Sequence, residues 1–293
     1  DLTHAQIYEI TQVRVYRDAE TYMQGTARRA TYDEQLQELR VFDSVRLEGV
    51  KDDLTLMTEE LVYYVDPRLI VVTQPVTATL REATLKTPTA RMNVNNQRFM
   101  APRQVVVSTK DGGQVVADSA SGDLEADILS LVGNVIMDTT VAELQELAEG
   151  PESETESADA SAAPGARGAN KIRIRCGRVD FDLVRDRASA RDRVSIVGEE
   201  GSAMGETAEL DGERVTLGGG ATLTLRDKAG GGPITVETAL VEYNTRTDLA
   251  LCPSPVTVTL REGRFKAGRA QARLKAGTWR LQGGVKGMLN PSV

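Results

Sequence analysis

One histidine, two cysteines and a surplus of carboxylates are the groups in this 293-residue chain that could do chemistry. A Ser-His-Asp or Cys-His relay needs an imidazole beside its nucleophile. His4 stands near the start of the chain with no nucleophile motif around it and reads as a surface residue. Cys176 and Cys252 are too few for a metal cluster. They read as two small buried or half-buried thiols, with a single bridge between neighbouring strands as the alternative. No His/Cys spacing suits zinc, and neither a calcium loop nor a phosphate-cradling glycine motif ahead of a helix is present. Gly218-Gly219-Gly220 and Gly230-Gly231-Gly232-Pro233 flank strand-like segments and read as turns. Carboxylates are numerous, so an acid pair assembled by folding leaves a carbohydrate-active enzyme as the one catalytic route. The expectation is no catalytic residue, no metal and no cofactor.

Charge is divided unevenly. From Asp111 to Ala166 there is no Lys or Arg and there are 13 acids; the rest of the chain carries 35 bases against 30 acids. From Leu260 to the end, Arg261, Arg264, Lys266, Arg269, Arg273, Lys275, Arg280 and Lys286 face Glu262 alone. These cations read either as the wet faces of strands or as contacts for phosphates or an acidic neighbour. Only 4 % of residues are aromatic, and they do not interleave with the bases as stacking platforms for nucleic acid would. No apolar run approaches the roughly 18 residues of a membrane span.

What must position all these groups is a recurring pattern of strand pairs. The first apolar residues of successive units are Val13, Val45, Val76, Val106, Val135, Val194, Ala221, Val256 and Val285, spaced 32, 31, 30, 29, 59, 27, 35 and 29 apart. Each unit holds an alternating strand, a polar turn, a second strand and an Asx-containing turn. The doubled spacing contains Glu143 to Ala169, an acidic Ser/Ala/Glu-rich run whose composition predicts a disordered loop inserted within one unit. Sustained helical periodicity is missing apart from a short piece at Val141–Leu147. Units of about 30 residues cannot bury an apolar face alone and must stack around a shared interior. The expectation is a single all-β domain over 1–293 with the 143–169 loop inside it.

The closest internal match is Pro75-Val76-Thr77-Ala78-Thr79-Leu80-Arg81-Glu82 against Pro255-Val256-Thr257-Val258-Thr259-Leu260-Arg261-Glu262, with Tyr63 matching Tyr243, Leu69 matching Leu249 and Phe99 matching Trp279. Period-two alternation turns Val76, Ala78 and Leu80 inward, with Val256, Val258 and Leu260. Leu61 and Tyr63 go inward with Val241 and Tyr243, and Leu69 and Val71 with Leu249 and Leu251. Val62 and Tyr64, replaced by Glu242 and Asn244 in the later copy, point outward. A lining this poor in rings either closes as a dry core or stays open along one side as a trough.

Short strand pairs with a Tyr-Asp-type turn occur at Ala30-Thr31-Tyr32-Asp33, Val62-Tyr63-Tyr64-Val65-Asp66 and Val241-Glu242-Tyr243-Asn244, and the next strand enters through Pro75-Val76 and Pro255-Val256. In this the chain resembles the periplasmic lipopolysaccharide-export proteins of the LptA/LptC (OstA-like) family. The resemblance implies an open β-jellyroll of stacked antiparallel strand pairs, about nine units of roughly 30 residues here. It implies lipopolysaccharide or another acylated lipid held in an apolar trough. The trough would be lined by Val45, Leu47, Leu61, Tyr63, Leu69, Val71, Val76, Ala78, Leu80, Met92, Val94, Phe99, Val241, Tyr243, Leu249, Leu251, Val256, Val258 and Leu260. Arg261, Arg264 and Arg273 would meet the lipid phosphates. It further implies end-to-end pairing with other β-jellyroll transport proteins through edge strands, peripheral association with a membrane complex, and a periplasmic location with any signal peptide or anchor outside this chain. No nucleic-acid partner is expected. The competing expectation is a structural or assembly protein with a closed core that self-associates through its strand edges.

Overall fold

Alternating apolar residues punctuated every few positions by Asx, Gly and Pro favour short antiparallel strands over helices. The structure is a computed structural model and describes residues 4–8, 10, 12–17, 19–50, 53–81, 83–109, 113–140, 171–185, 187–226, 232–274 and 276–289. Every regular element among them is a β-strand, so the fold is all-β and antiparallel. The acidic 143–169 run and the short helical piece expected at Val141–Leu147 lie outside the described residues. The chain forms two compact units, Asp1–Val135 and Ile136–Val293.

The first unit is built of two walls. The first wall orders β1 (His4–Tyr8), β4 (Arg29–Asp33), β5 (Glu38–Gly49), β6 (Leu54–Tyr64), β7 (Leu69–Val72), β10 (Ala90–Asn93), β11 (Arg98–Ala101), β14 (Ser119–Asp123) and the start of β15 (Ile128–Thr140). The second orders β2 (Val13–Arg17), β3 (Glu20–Thr26), the other halves of β5 and β6, then β8 (Val76–Leu80), β9 (Ala83–Thr87), β12 (Val105–Thr109) and β13 (Gln114–Ala117).

In the second unit five long strands belong to both walls: β16 (Lys171–Asp182), β17 (Arg187–Gly198), β18 (Gly201–Asp211), β19 (Arg214–Leu225) and β20 (Ile234–Asn244). One wall continues with β21 (Leu249–Cys252), β24 (Arg269–Arg273) and β25 (Thr278–Gln282). The other continues with β22 (Val256–Leu260), β23 (Gly263–Ala267) and β26 (Lys286–Leu289).

The chain passes from wall to wall at a corner, and the corners have a local cause. Pairing register slips between Phe42 and Val45, Arg191 and Val194, and Gly218 and Ala221, as at a β-bulge. The two residues in each gap are left-handed: Asp43 and Ser44, Asp192 and Arg193, Gly219 and Gly220. Asp, Ser and Gly accept that region more readily than branched residues do. Gly218-Gly219-Gly220 is therefore not the turn its composition indicated; β19 runs through it and bends there. Short strands turn the corner at proline instead, as in Val72-Thr73-Gln74-Pro75-Val76. Buried threonines pin these crossings: Thr58 Oγ1 donates to the Pro75 carbonyl at 3.2 Å and Thr87 Oγ1 to the Arg103 carbonyl at 3.1 Å, while the Thr238 and Ser254 hydroxyls are 3.0 Å apart.

At wall ends far from the corner, in each unit, the Asx residues of the sequence pattern close their turns. Asp33, Asn93, Asp123, Asp182 and Asn244 each accept backbone N–H groups two or three residues on. Successive turns are also tied together, with Val65 N donating to Gln37 O, Val94 N to Arg68 O and Leu124 N to Gln97 O at 2.9, 3.0 and 3.0 Å.

Candidate functional site

Each wall turns one set of side chains inward, and cross-strand partners fall in rows. The row nearest the corner is closed. Val41, Val45, Val76, Val105 and Leu131 in the first unit, and Val194, Leu217, Ala221 and Val256 in the second, are all buried. Val45, Val76, Val135, Val194, Ala221 and Val256, picked out above by spacing alone, are all corner residues. Val106 is off by one position: it faces outward, and Val105 and Val107 are buried in its place.

Burial falls away from the corner, differently in the two units. The next inward row of the first unit is mostly filled: Leu47, Leu56, Ile70, Met92, Val107 and Val115 are buried, and Leu39, Tyr63, Ala78 and Phe99 are half-buried. In the second unit the corresponding residues of β16 to β18, and Val215 of β19, are half-buried. They are Phe181, Ala188, Leu210 and Val215 on one wall, and Ile174, Ile196 and Ala203 on the other. Only further along, at Leu223, Val236, Val258, Ala250 and Ala272, is that row buried. The reason lies in side-chain size. The inward positions of β17 and β18 include Ala188, Ala190, Ala203, Gly205 and Ala208, where β5 and β6 present Leu39, Val41, Leu47, Leu54, Leu56 and Leu61. Walls that present methyl groups and hydrogens cover one another less from water than walls of leucine do.

Most of the residues expected to line an interior do face it. Val45, Leu47, Leu61, Val76, Met92, Val94, Val241, Val256 and Val258 are buried, and Tyr63, Ala78, Leu80, Phe99, Tyr243 and Leu260 are half-buried. Four are corrected. Ile70 pairs with Tyr63 and Met92 and is buried with Val72, so Leu69 and Val71 face outward. Ala250 and Cys252 are buried likewise, so Leu249 and Leu251 face outward, Leu251 being 37 % exposed. Val62 and Tyr64 lie on the outer side of the wall, Val62 being buried there against its neighbours. Phe181, Ala188, Ile196 and Ala203 escaped notice because the internal match links only the stretches around Tyr63 and Tyr243; alanine-rich alternation was the signal available.

The cations expected to meet phosphates are dispersed. Arg264 lies on an outer surface, 3.3 Å from Glu237, and Arg273 is exposed on the outer side of β24. Arg261 alone sits in a turn at the wall end farthest from the corner. Other outer cations are matched along a strand, as in Arg46–Glu48, or across strands, as in Arg173–Asp138, Arg187–Asp211 and Arg191–Asp180. The Arg173 guanidinium donates to both Asp138 oxygens at 2.6 and 3.0 Å and holds that carboxyl below its ordinary range. Cys176 and Cys252 are separate buried thiols, both pushed up to about 11 by burial. Tyr243 is pushed up to about 12, first by burial and then by Asp248, whose Oδ1 accepts its hydroxyl at 3.1 Å. No cluster of His, Cys, Asp and Glu able to hold a metal occurs among the described residues.

No protein-family model matches the sequence, and no curated protein matches it. Among solved structures the chain is similar to LptH, the LptA-homologous periplasmic component of the lipopolysaccharide transport device of Pseudomonas aeruginosa. The likeness has 14 % sequence identity and a TM-score of 0.38, over 41 % of this chain and 95 % of that one.

Proposed function

We propose that this protein is a non-enzymatic carrier of acylated lipid, working in the periplasm as a bridge for lipopolysaccharide on its way to the outer membrane. The observation that carries the reading is the graded interior of the second unit: closed at the corner, half-buried beyond it on β16 to β18, and lined mainly by aliphatic side chains. An acyl chain placed there would be favoured by about 0.8 kcal/mol for each methylene removed from water. The pattern of Asx-turned strand pairs, which resembles the LptA/LptC family, supports lipopolysaccharide as the lipid. Other jellyroll transport proteins would join through edge strands, and β26 is suited to this: it pairs with β23 alone among the described residues, and Met288 and Leu289 are exposed. Native mass spectrometry of protein gently purified from a lipopolysaccharide-producing host, followed by lipid extraction, tests the reading. Lipid A species on the protein are expected; a bare mass, unchanged after incubation with lipopolysaccharide, overturns it.

The second reading, a structural protein that self-associates, is favoured by the same exposed β26. It predicts concentration-dependent oligomers in sedimentation that disappear in Met288→Lys/Leu289→Lys, since charge on an edge strand blocks pairing, with no dependence on lipid.

A further inference from the structure

The two units do not treat their interiors alike. In the first, the turn joining β14 to β15 reaches over the end of the interior. The register places this turn and the β2–β3 and β8–β9 turns at the ends of their walls farthest from the corner. The β14–β15 turn belongs to the first wall and the other two to the second. Glu125 pairs with Arg17 at 3.9 Å and Asp127 with Arg81 at 3.5 Å, so both ion pairs run from wall to wall. At the start of the same turn Leu124 packs against the buried core, its N–H donating to Gln97 O. The turn is held in shape by Asp123, which accepts the Glu125 and Ala126 N–H groups. It acts as a strap with a leucine plug.

In the second unit the half-buried row of β16 to β19 offers a ligand hydrocarbon and nothing else. Phe181, Ile174, Ile196, Ala203, Leu210 and Val215 supply no side-chain donor or acceptor. A peptide or a sugar would leave its own polar groups unpaired against this surface; an alkyl chain has none to lose. At the wall ends Arg214 and Arg226 are exposed and have no ion-pair partner among the described residues. In the first unit the wall-end cation Arg81 is instead taken by the strap.

We propose that the acyl chain seats in the second unit, over the alanine-lined stretch of β16 to β19, with an anionic headgroup toward Arg214 and Arg226, while the strap keeps the first unit shut. This rests on the lipid-carrier reading. The full chain with Trp279→Phe removes the single tryptophan, and Phe181→Trp or Phe99→Trp then places one reporter in either interior. Dibromostearate, whose bromines quench indole at contact, is the probe. Quenching of the reporter at 181 but not at 99 is expected, and adding Leu124→Ser should make the reporter at 99 quenchable. Ala203→Phe, which fills the open stretch, should weaken quenching at 181 about tenfold, the loss of roughly two methylene contacts. Equal quenching at both sites with the strap intact, or no effect of Ala203→Phe, overturns the proposal. If the reporters at 99, 181 and 279 are all unquenched, the lipid-carrier reading itself fails.

Discussion

Phe99 lies flat over Gly122 on the neighbouring strand, so close that a Cβ added to the glycine would stand 2.0 Å from the Phe99 Cε1. A ring covering a cross-strand glycine fills the inward row without widening the wall. The pairing recurs in the second unit, where Phe265 covers Gly287 and the same Cβ would be 2.8 Å from the ring.

Gly122→Val should therefore destabilise the first unit by about 1–3 kcal/mol, as overpacked cores do. Phe99→Ala in the same chain should recover part of that loss. A double-mutant cycle in urea reads the coupling, and additive effects would mean that the ring is free to move aside. Gly287→Ala, on a more exposed strand, should cost less.

The facing of β7 is open to a direct comparison. Ile70→Ala should cost about 2–5 kcal/mol, whereas Val71→Ala, one residue on, should stay within about 1 kcal/mol. The opposite order would reverse the inward and outward faces of that wall.

Thr87→Val keeps the shape of a buried corner residue and removes the hydroxyl that donates to Arg103 O and Thr89 O. A loss of about 1–3 kcal/mol is expected. Thr259→Val, on an exposed outer position, is the neutral control.

Stability should be flat near neutral pH and fall on both sides. Asp43, Asp123 and Asp138 are held below their ordinary range chiefly by hydrogen bonds from Arg29, Arg98 and Arg173. Their contribution is present above about pH 4 and is lost as pH falls through the lowered values. These pairs are exposed, so the acid limb should be shallow and salt-sensitive. On the alkaline side Cys176 and Cys252 are raised to about 11, so stability is lost as pH climbs from about 9 through that value. Melting temperatures of the wild type and Cys176→Ala/Cys252→Ala across pH give the test. The double variant should keep the acid limb and lose much of the alkaline one.

The corner was legible because it is written in spacing. A valine every thirty residues or so marked the buried row, and Asx residues marked the turns that close it. The facing of β7 and β21 was not, since Leu69-Ile70-Val71-Val72 and Leu249-Ala250-Leu251-Cys252 are apolar throughout and carry no alternation to read. The open stretch of β16 to β19 was hidden for a different reason. What distinguishes it is missing volume, and alanine in an alternating strand reads as ordinary core until its cross-strand partners are known to be equally small. The bend through Gly218-Gly219-Gly220 was mistaken for a turn because glycine serves a bulge and a turn alike.

Corners are made by local residues, such as the left-handed pairs of β5, β17 and β19 and the prolines that stand by buried Thr58 and Thr87, and among the described residues each strand bonds to its neighbours in the wall. Apart from the strap, nothing among the described residues ties a strand to one far along the wall. A closed barrel must fix its strand number and shear together; these walls carry no such constraint. Genetic gain or loss of one strand pair would leave every other corner intact, so the capacity of such a protein can be lengthened or shortened in evolution one segment at a time.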